Sequence, residues 1–283
     1  MEIAGTEPQT AQIEWAHFRM PPFPQVALKV MQLASKENVQ LNKLGELISS
    51  DPAFASEVLA IANSLLYAPR YPIKSILQAI EVLGASHLQG LCLTVGVRAY
   101  LGRSLGHPTM RTLWRHNMAC ALIAQQIASA GFMDRDIAYT AGVLHGIGLL
   151  GLAVVRSQEY VHLLGTHIGN AASLLKKEGE LFGIDHCQLG RKLVHDWNLP
   201  EDFEQIMSAP QREVGAEWGM ATLVGLSCRM ADTAGFSAFP ACHAALFEEL
   251  LEELPTRERK LFHTDVDTLS FEVSKKIAAL ELA

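Results

Sequence analysis

Charge is scarce in this chain: 19% of its 283 residues are Asp, Glu, Lys or Arg, and no run of Lys and Arg could neutralise a track of phosphates. With a formal net charge of −7, nucleic acid is not an expected partner. The five cysteines, Cys92, Cys120, Cys187, Cys228 and Cys242, are odd in number, scattered, and form no Cys-x-x-Cys pair. That argues against a disulfide framework or a zinc ribbon, and a reducing cytoplasm fits best. The N-terminus lacks the basic start, apolar stretch and small-residue cleavage site of a secretory leader. Strand signals are missing too, with no alternating segment of useful length, no Asn-Gly hairpin and no fixed-period repeat. Neither a Gly-x-Ser-x-Gly elbow nor a Gly-x-x-x-x-Gly-Lys phosphate loop occurs.

Apolar residues, by contrast, make up 49% of the chain, enough to offset the entropy of ordering it. They recur at helical spacing, as in Val26, Val30 and Leu33, or Leu44, Leu47 and Ile48. Ser49-Ser50-Asp51-Pro52 ends one helix and begins the next, Asp51 accepting from free amides and Pro52 taking the first helical position. Gly84 reads as a helix cap, and Gly102 to Pro108 as a break between two lobes. Helical patterns continue at about 112–130, 136–150, 154–165, 170–178, 186–197, 201–208, 216–234, 241–252 and 256–281. The expected class is all-α. Ile137 to Val155 carries no formal charge and approaches the length of a membrane span. Its four glycines and His145 favour a helix buried in a bundle, so no membrane span is expected.

Eleven histidines invite a metal reading, although a single His on an apolar face is more often a hydrogen-bonded core residue. His116, His145 and His186 sit in or at the start of apolar helical segments, so helix packing could bring them together. His116 and Cys120, four apart, could share a metal, but Cys120 is read as a small core residue. The glycines of Gly142-Val-Leu-His-Gly146-Ile-Gly148 read as allowing close helix packing. The acidic run Glu248, Glu249, Glu252 and Glu253 reads as a solvated helix face.

Several separated segments stand out in order: Met20-Pro-Pro-Phe-Pro-Gln-Val, Leu47-Ile-Ser-Ser-Asp-Pro-Ala, Leu59-Ala-Ile-Ala-Asn-Ser-Leu-Leu-Tyr67 and Ala79-Ile-Glu-Val-Leu-Gly84. Then follow Leu113-Trp-Arg-His116, Ala141-Gly-Val-Leu-His-Gly-Ile-Gly148, Phe182-Gly-Ile-Asp-His186 and Trp197-Asn-Leu-Pro200. Together they resemble the HDOD family, the HD-related output domain of bacteria. The resemblance implies a multi-helix HDOD/HD-like bundle of two lobes, with residues 1–14 as a tail or linker and 15–236 as the domain. Its N-terminal lobe would span about 15–106 and its degenerate HD-like lobe would start near 107, with 237–283 as C-terminal helices packed on the latter.

Catalytic HD relatives hold metal with histidines and carboxylates that together activate water. By resemblance His116 stands at the first His and His145 at the His of the dyad, but the dyad's Asp is Gly146. His186 resembles the later His; the paired histidines of cyclic-dinucleotide-cleaving relatives would fall near Ser208-Ala209, and the closing Asp aligns with Cys228, with Asp232 nearby. The resemblance therefore implies a non-catalytic signalling module, with other signalling proteins as partners, a small ligand in the former cavity as a variant, and no cofactor expected. His116, His145 and His186 would be vestigial, able at most to hold a stray divalent metal. The alternative is a divergent phosphohydrolase that recruits Asp134, Asp136, Asp185 or Asp196.

Overall fold

A computed structural model describes residues 20–34, 40–64, 66–166, 171–211, 217–239 and 245–282. The expected tail over 1–14, His17, His167, His243 and Cys242 lie outside the described residues. After the extended Met20 to Pro24 run, the chain enters α1 (Gln25–Ala34), α2 (Leu41–Ser49) and α3 (Pro52–Ala62). Asp51 caps α3 as its sequence suggests, accepting at 3.1 Å from the amides of Ala53 and Phe54. At the far end of α3, Asn63 fixes the following loop, its Nδ2 donating to the Ile73 carbonyl at 2.8 Å and its Oδ1 accepting from the Ile73 amide at 2.7 Å. Gly84, at φ +86°, turns α4 (Ile76–Leu83) directly into α5 (Ala85–Leu101).

A short 3₁₀ turn, Gly102–Gly106, separates α5 from α6 (Pro108–Ala130). This second long helix is buried along most of its length, and packs against α7 (Arg135–Leu144). The two approach so closely that a Cβ on Gly142 would lie 2.4 Å from the Ala121 Cα. Met110, Met118, Leu122 and Ile123 are sealed inside, each contributing about 1.5–3 kcal/mol relative to exposure.

Next come α8 (Ile147–Val155), α9 (Ser157–Gly165), α10 (Ala171–Phe182) and α11 (His186–Asp196), the last packed on α8. They are followed by α12 (Met220–Ala231), which lies against both α6 and α7, then α13 (Phe247–Glu252), α14 (Thr256–Leu261) and α15 (Val266–Leu282). Both α14 and α15 pack on α6. No strand occurs among the described residues, so the all-α class holds.

The boundaries differ from the periodic patterns in three places. The apolar stretch from Arg135 to Val155 is broken at His145-Gly146 into α7 and α8, and 78% of its most apolar window is buried in the protein interior. The pattern at 201–208 forms two short 3₁₀ turns, Glu201–Phe203 and Gln205–Gln211, in place of an α-helix. The pattern at 256–281 divides at Asp265, whose carboxylate accepts from the Thr268 amide at 2.8 Å and starts α15.

Candidate functional site

Three parts of the fold converge on one buried cluster. Helix α6 supplies His116 and Cys120 one turn apart, the α7–α8 turn supplies His145, and α12 supplies Cys228. One ligand atom from each of these four residues lies within 4.8 Å of every other. Cys120, Cys228 and His145 are buried, and the His116 side chain is 13% exposed. The imidazole rings of His116 and His145 meet edge to face, their centroids 6.0 Å apart.

Backbone carbonyls set the orientation of both histidines. His116 Nδ1 lies 2.8 Å from the Phe236 carbonyl and 3.4 Å from Asp232 Oδ1, delivered by the turn after α12. A carbonyl only accepts, so Nδ1 carries a proton, and Nε2 is the nitrogen turned to Cys120 Sγ, 3.5 Å away. His145 follows the same rule, its Nδ1 donating to the Gly142 carbonyl at 2.5 Å, which leaves Nε2 for the cluster.

Charge is shared among the four side chains. Burial opposes an imidazolium at His116, yet the Cys228 sulfur, the Asp232 carboxylate and the Phe236 carbonyl outweigh it and push its pKa up to about 9. Burial also opposes a thiolate at Cys228, but hydrogen bonding with Cys120, His116 and His145 and the charge of His145 hold it well below the ordinary thiol range. Burial and the neighbouring Cys228 push Cys120 well above that range. The cluster thus favours one thiolate at Cys228.

Gly146 adjoins this cluster, and any side chain there would press on Asn117. A Cβ there would lie 2.2 Å from Asn117 Oδ1. Asn117 is itself buried and anchored, its Nδ2 donating to the Val143 carbonyl at 2.8 Å, and its Oδ1 has no hydrogen-bond partner. Asp232 does not replace the missing group, since it meets His116 through Nδ1, while Cys120 meets the ring through Nε2. Two imidazoles and two sulfurs do not fit the hard, oxygen-preferring ions of a two-metal phosphohydrolase, which need carboxylates to balance and bridge them.

His186, the third histidine singled out in the sequence, is held elsewhere. Its Nδ1 lies 2.7 Å from Glu178 Oε2, and its backbone amide donates to the same oxygen at 2.9 Å. Tyr160 donates its hydroxyl to Glu178 Oε1. Burial opposes a charge on His186, but hydrogen bonds to Cys187 and Glu178 prevail and push its pKa up to about 10. Sequence reasoning missed Glu178, although it shares a four-residue spacing with Leu174 and Phe182 on the buried stripe of α10.

The aspartates considered as replacement ligands have other partners. Asp134 caps α7 and Asp185 caps α11, while Asp136 pairs with His87 at 2.7 Å and Asp196 with Lys192 at 2.9 Å. Ser208, where a paired histidine would fall, accepts from Arg191 at 2.7 Å. A groove of about 800 Å³ opens between α5, the start of α7 and the start of α12, lined by Gln89, Asp136, Asp202, Glu217 and Trp218 among others. None of the four cluster residues lines it.

The sequence matches the family described as HDOD domain over residues 20–212. It is 24% identical over 197 residues to an uncharacterised protein of Treponema pallidum (strain Nichols), an overlap covering 64% of this chain and 36% of that one. The chain therefore spans little more than a third of that curated relative. Its fold is similar to a Marinobacter aquaeolei VT8 protein provisionally named a signal transduction protein, with a TM-score of 0.72 and 23% identity over 93% of this chain and 59% of that one. It is also similar to a Shewanella amazonensis SB2B protein provisionally named a phosphohydrolase, with a TM-score of 0.66 and 18% identity over 93% and 94% of the two chains. These likenesses are of fold. The family match spans most of the chain and contains both the helices that carry the histidines and the turn at Gly146, and the chain belongs to the HDOD family.

Proposed function

We propose that this HDOD protein is a non-catalytic regulatory module of bacterial signal transduction, working through contacts with other signalling proteins. The observation that carries this reading is the packing of Asn117 Oδ1 against Gly146, which occupies the place a dyad carboxylate needs. A hydrolytic metal also keeps an open coordination position for water, whereas here the position is surrounded by four side chains, three of them buried.

The groove beside α12 supports a ligand-binding variant of the same reading. Its volume suits a small ligand or a partner's side chains, and the indole Nε1 of Trp218 is buried without a hydrogen-bond partner. The carboxylates of Asp202 and Glu217 on its wall favour a basic group over a bare phosphate.

The full chain, incubated with manganese and either bis(p-nitrophenyl) phosphate or cyclic di-GMP, is expected to show no turnover above that of its His145→Ala variant. Turnover that His145→Ala abolishes would overturn the non-catalytic reading and make the chain a divergent hydrolase.

A further inference from the structure

The four residues that fail to make a hydrolase centre are together a complete ligand set of another kind. We propose that His116, Cys120, His145 and Cys228 bind one soft divalent cation, Zn²⁺ by donor chemistry, in a closed tetrahedral site that staples α6, the α7–α8 turn and α12. This inference stands independently of any signalling role.

Geometry carries it. Metal–ligand lengths of about 2.3 Å to sulfur and 2.0–2.1 Å to nitrogen give a tetrahedron with edges of about 3.3–3.8 Å. The His116 Nε2 to Cys120 Sγ distance of 3.5 Å is such an edge, and with all four ligand atoms within 4.8 Å of one another, closure onto a metal needs shifts of about 1 Å or less. Both histidines are also prepared in the manner of metal ligands. Each donates Nδ1–H to a backbone carbonyl, Phe236 for His116 and Gly142 for His145, which turns Nε2 toward the cluster as the nitrogen that would meet a metal. Asp232 stands behind His116 as a further support.

Electrostatics agrees. Two thiolates and two neutral imidazoles cancel the charge of one divalent cation, so the filled site is neutral inside the protein and avoids most of the cost of burying an ion. On binding, the Cys120 thiol and the His116–Cys228 pair each release one proton to solvent. With four protein ligands no position remains for water, which makes the site structural.

The test uses the untagged full chain purified without chelator. Elemental analysis is expected to give about one zinc per chain, and cobalt exchanged into the site should show the visible bands of tetrahedral coordination with thiolate-to-cobalt charge transfer. Cys120→Ala and Cys228→Ala should each remove the charge-transfer feature and stoichiometric metal. Asp232→Asn, a milder change outside the ligand set, should keep the fold and weaken metal affinity by about 10–100-fold. Should the cysteine variants fail to fold, the spectrum of the unmodified chain still decides, because only sulfur ligation gives the charge-transfer band. A chain that takes up neither zinc nor cobalt, or one whose cysteine variants retain metal with an unchanged spectrum, overturns the proposal.

Discussion

Replacing Gly146 with aspartate, which restores the residue of a catalytic HD dyad, is expected to destabilise this protein and to confer no hydrolysis. The new Cβ would enter within 2.2 Å of Asn117 Oδ1, and the asparagine cannot swing away without surrendering its bond to the Val143 carbonyl in a buried setting. Overpacking of this kind costs about 1–3 kcal/mol, and a carboxylate without a hydrogen-bond donor adds to it. A loss of about 3 kcal/mol or more should lower the melting temperature by roughly 6–12 °C in a chain of this size. Gly146→Ala should show the steric part alone. Because the clash is with one side chain, Asn117→Ala should relieve it, and a double-mutant cycle should give a favourable coupling of about 1 kcal/mol or more. Additive effects of the two substitutions would contradict this account of why glycine stands there.

The second large effect belongs to Glu178. Its carboxylate is completely buried and accepts from the Tyr160 hydroxyl, the His186 amide and His186 Nδ1. Glu178→Ala would leave a buried imidazolium and a buried hydroxyl without their acceptor, at a cost of about 3–5 kcal/mol. Glu178→Gln, which keeps the shape, should cost less and change the response to pH.

The sign of that response follows from His186. Its pKa in the folded chain is pushed up to about 10, above the ordinary 6.5, by Cys187 and Glu178 against the opposing effect of burial. A raised histidine pKa contributes stability that is fully present below pH of about 6.5 and is lost as pH rises toward 10. Urea denaturation at intervals between pH 6.5 and 9.5 should show the unmodified chain losing stability more steeply than Glu178→Gln. Parallel profiles for the two chains would mean that His186 carries no charge in the folded state.

Much of the fold was legible because its signals are local. Asp51-Pro52 and Gly84 mark helix ends through chemistry acting over one turn, and both act where expected. The break inside Arg135 to Val155 was hidden because Gly142, Gly146 and Gly148 lie in one apolar window, and periodicity does not tell which glycine ends a helix. Asp265 was missed as a cap for a related reason, since an aspartate within a charged helical pattern looks like any surface residue.

The candidate site was legible only in part. His116, His145, Gly146 and Cys228 could be placed by resemblance, and the structure brings the first two together with Cys228. His186 resembled them equally in sequence, but its position is set by α10, whose Glu178 holds it apart from the cluster. Cys120 was set aside as packing because a lone His and Cys four apart look the same whether they line a core or share a metal. What distinguishes the cases is the arrival of His145 and Cys228 from other helices, and tertiary packing of that kind leaves no periodic mark on the sequence.

A closed four-ligand zinc site is proposed where the resemblance to catalytic HD relatives would put a metal centre. X-ray absorption at the zinc edge of the full chain tests it most directly. The prediction is a first shell of two sulfurs at about 2.3 Å and two nitrogens at about 2.0–2.1 Å. A shell of oxygen and nitrogen with a second metal about 3.5–4 Å away, as in two-metal hydrolases, would contradict it, as would a chain that holds no zinc.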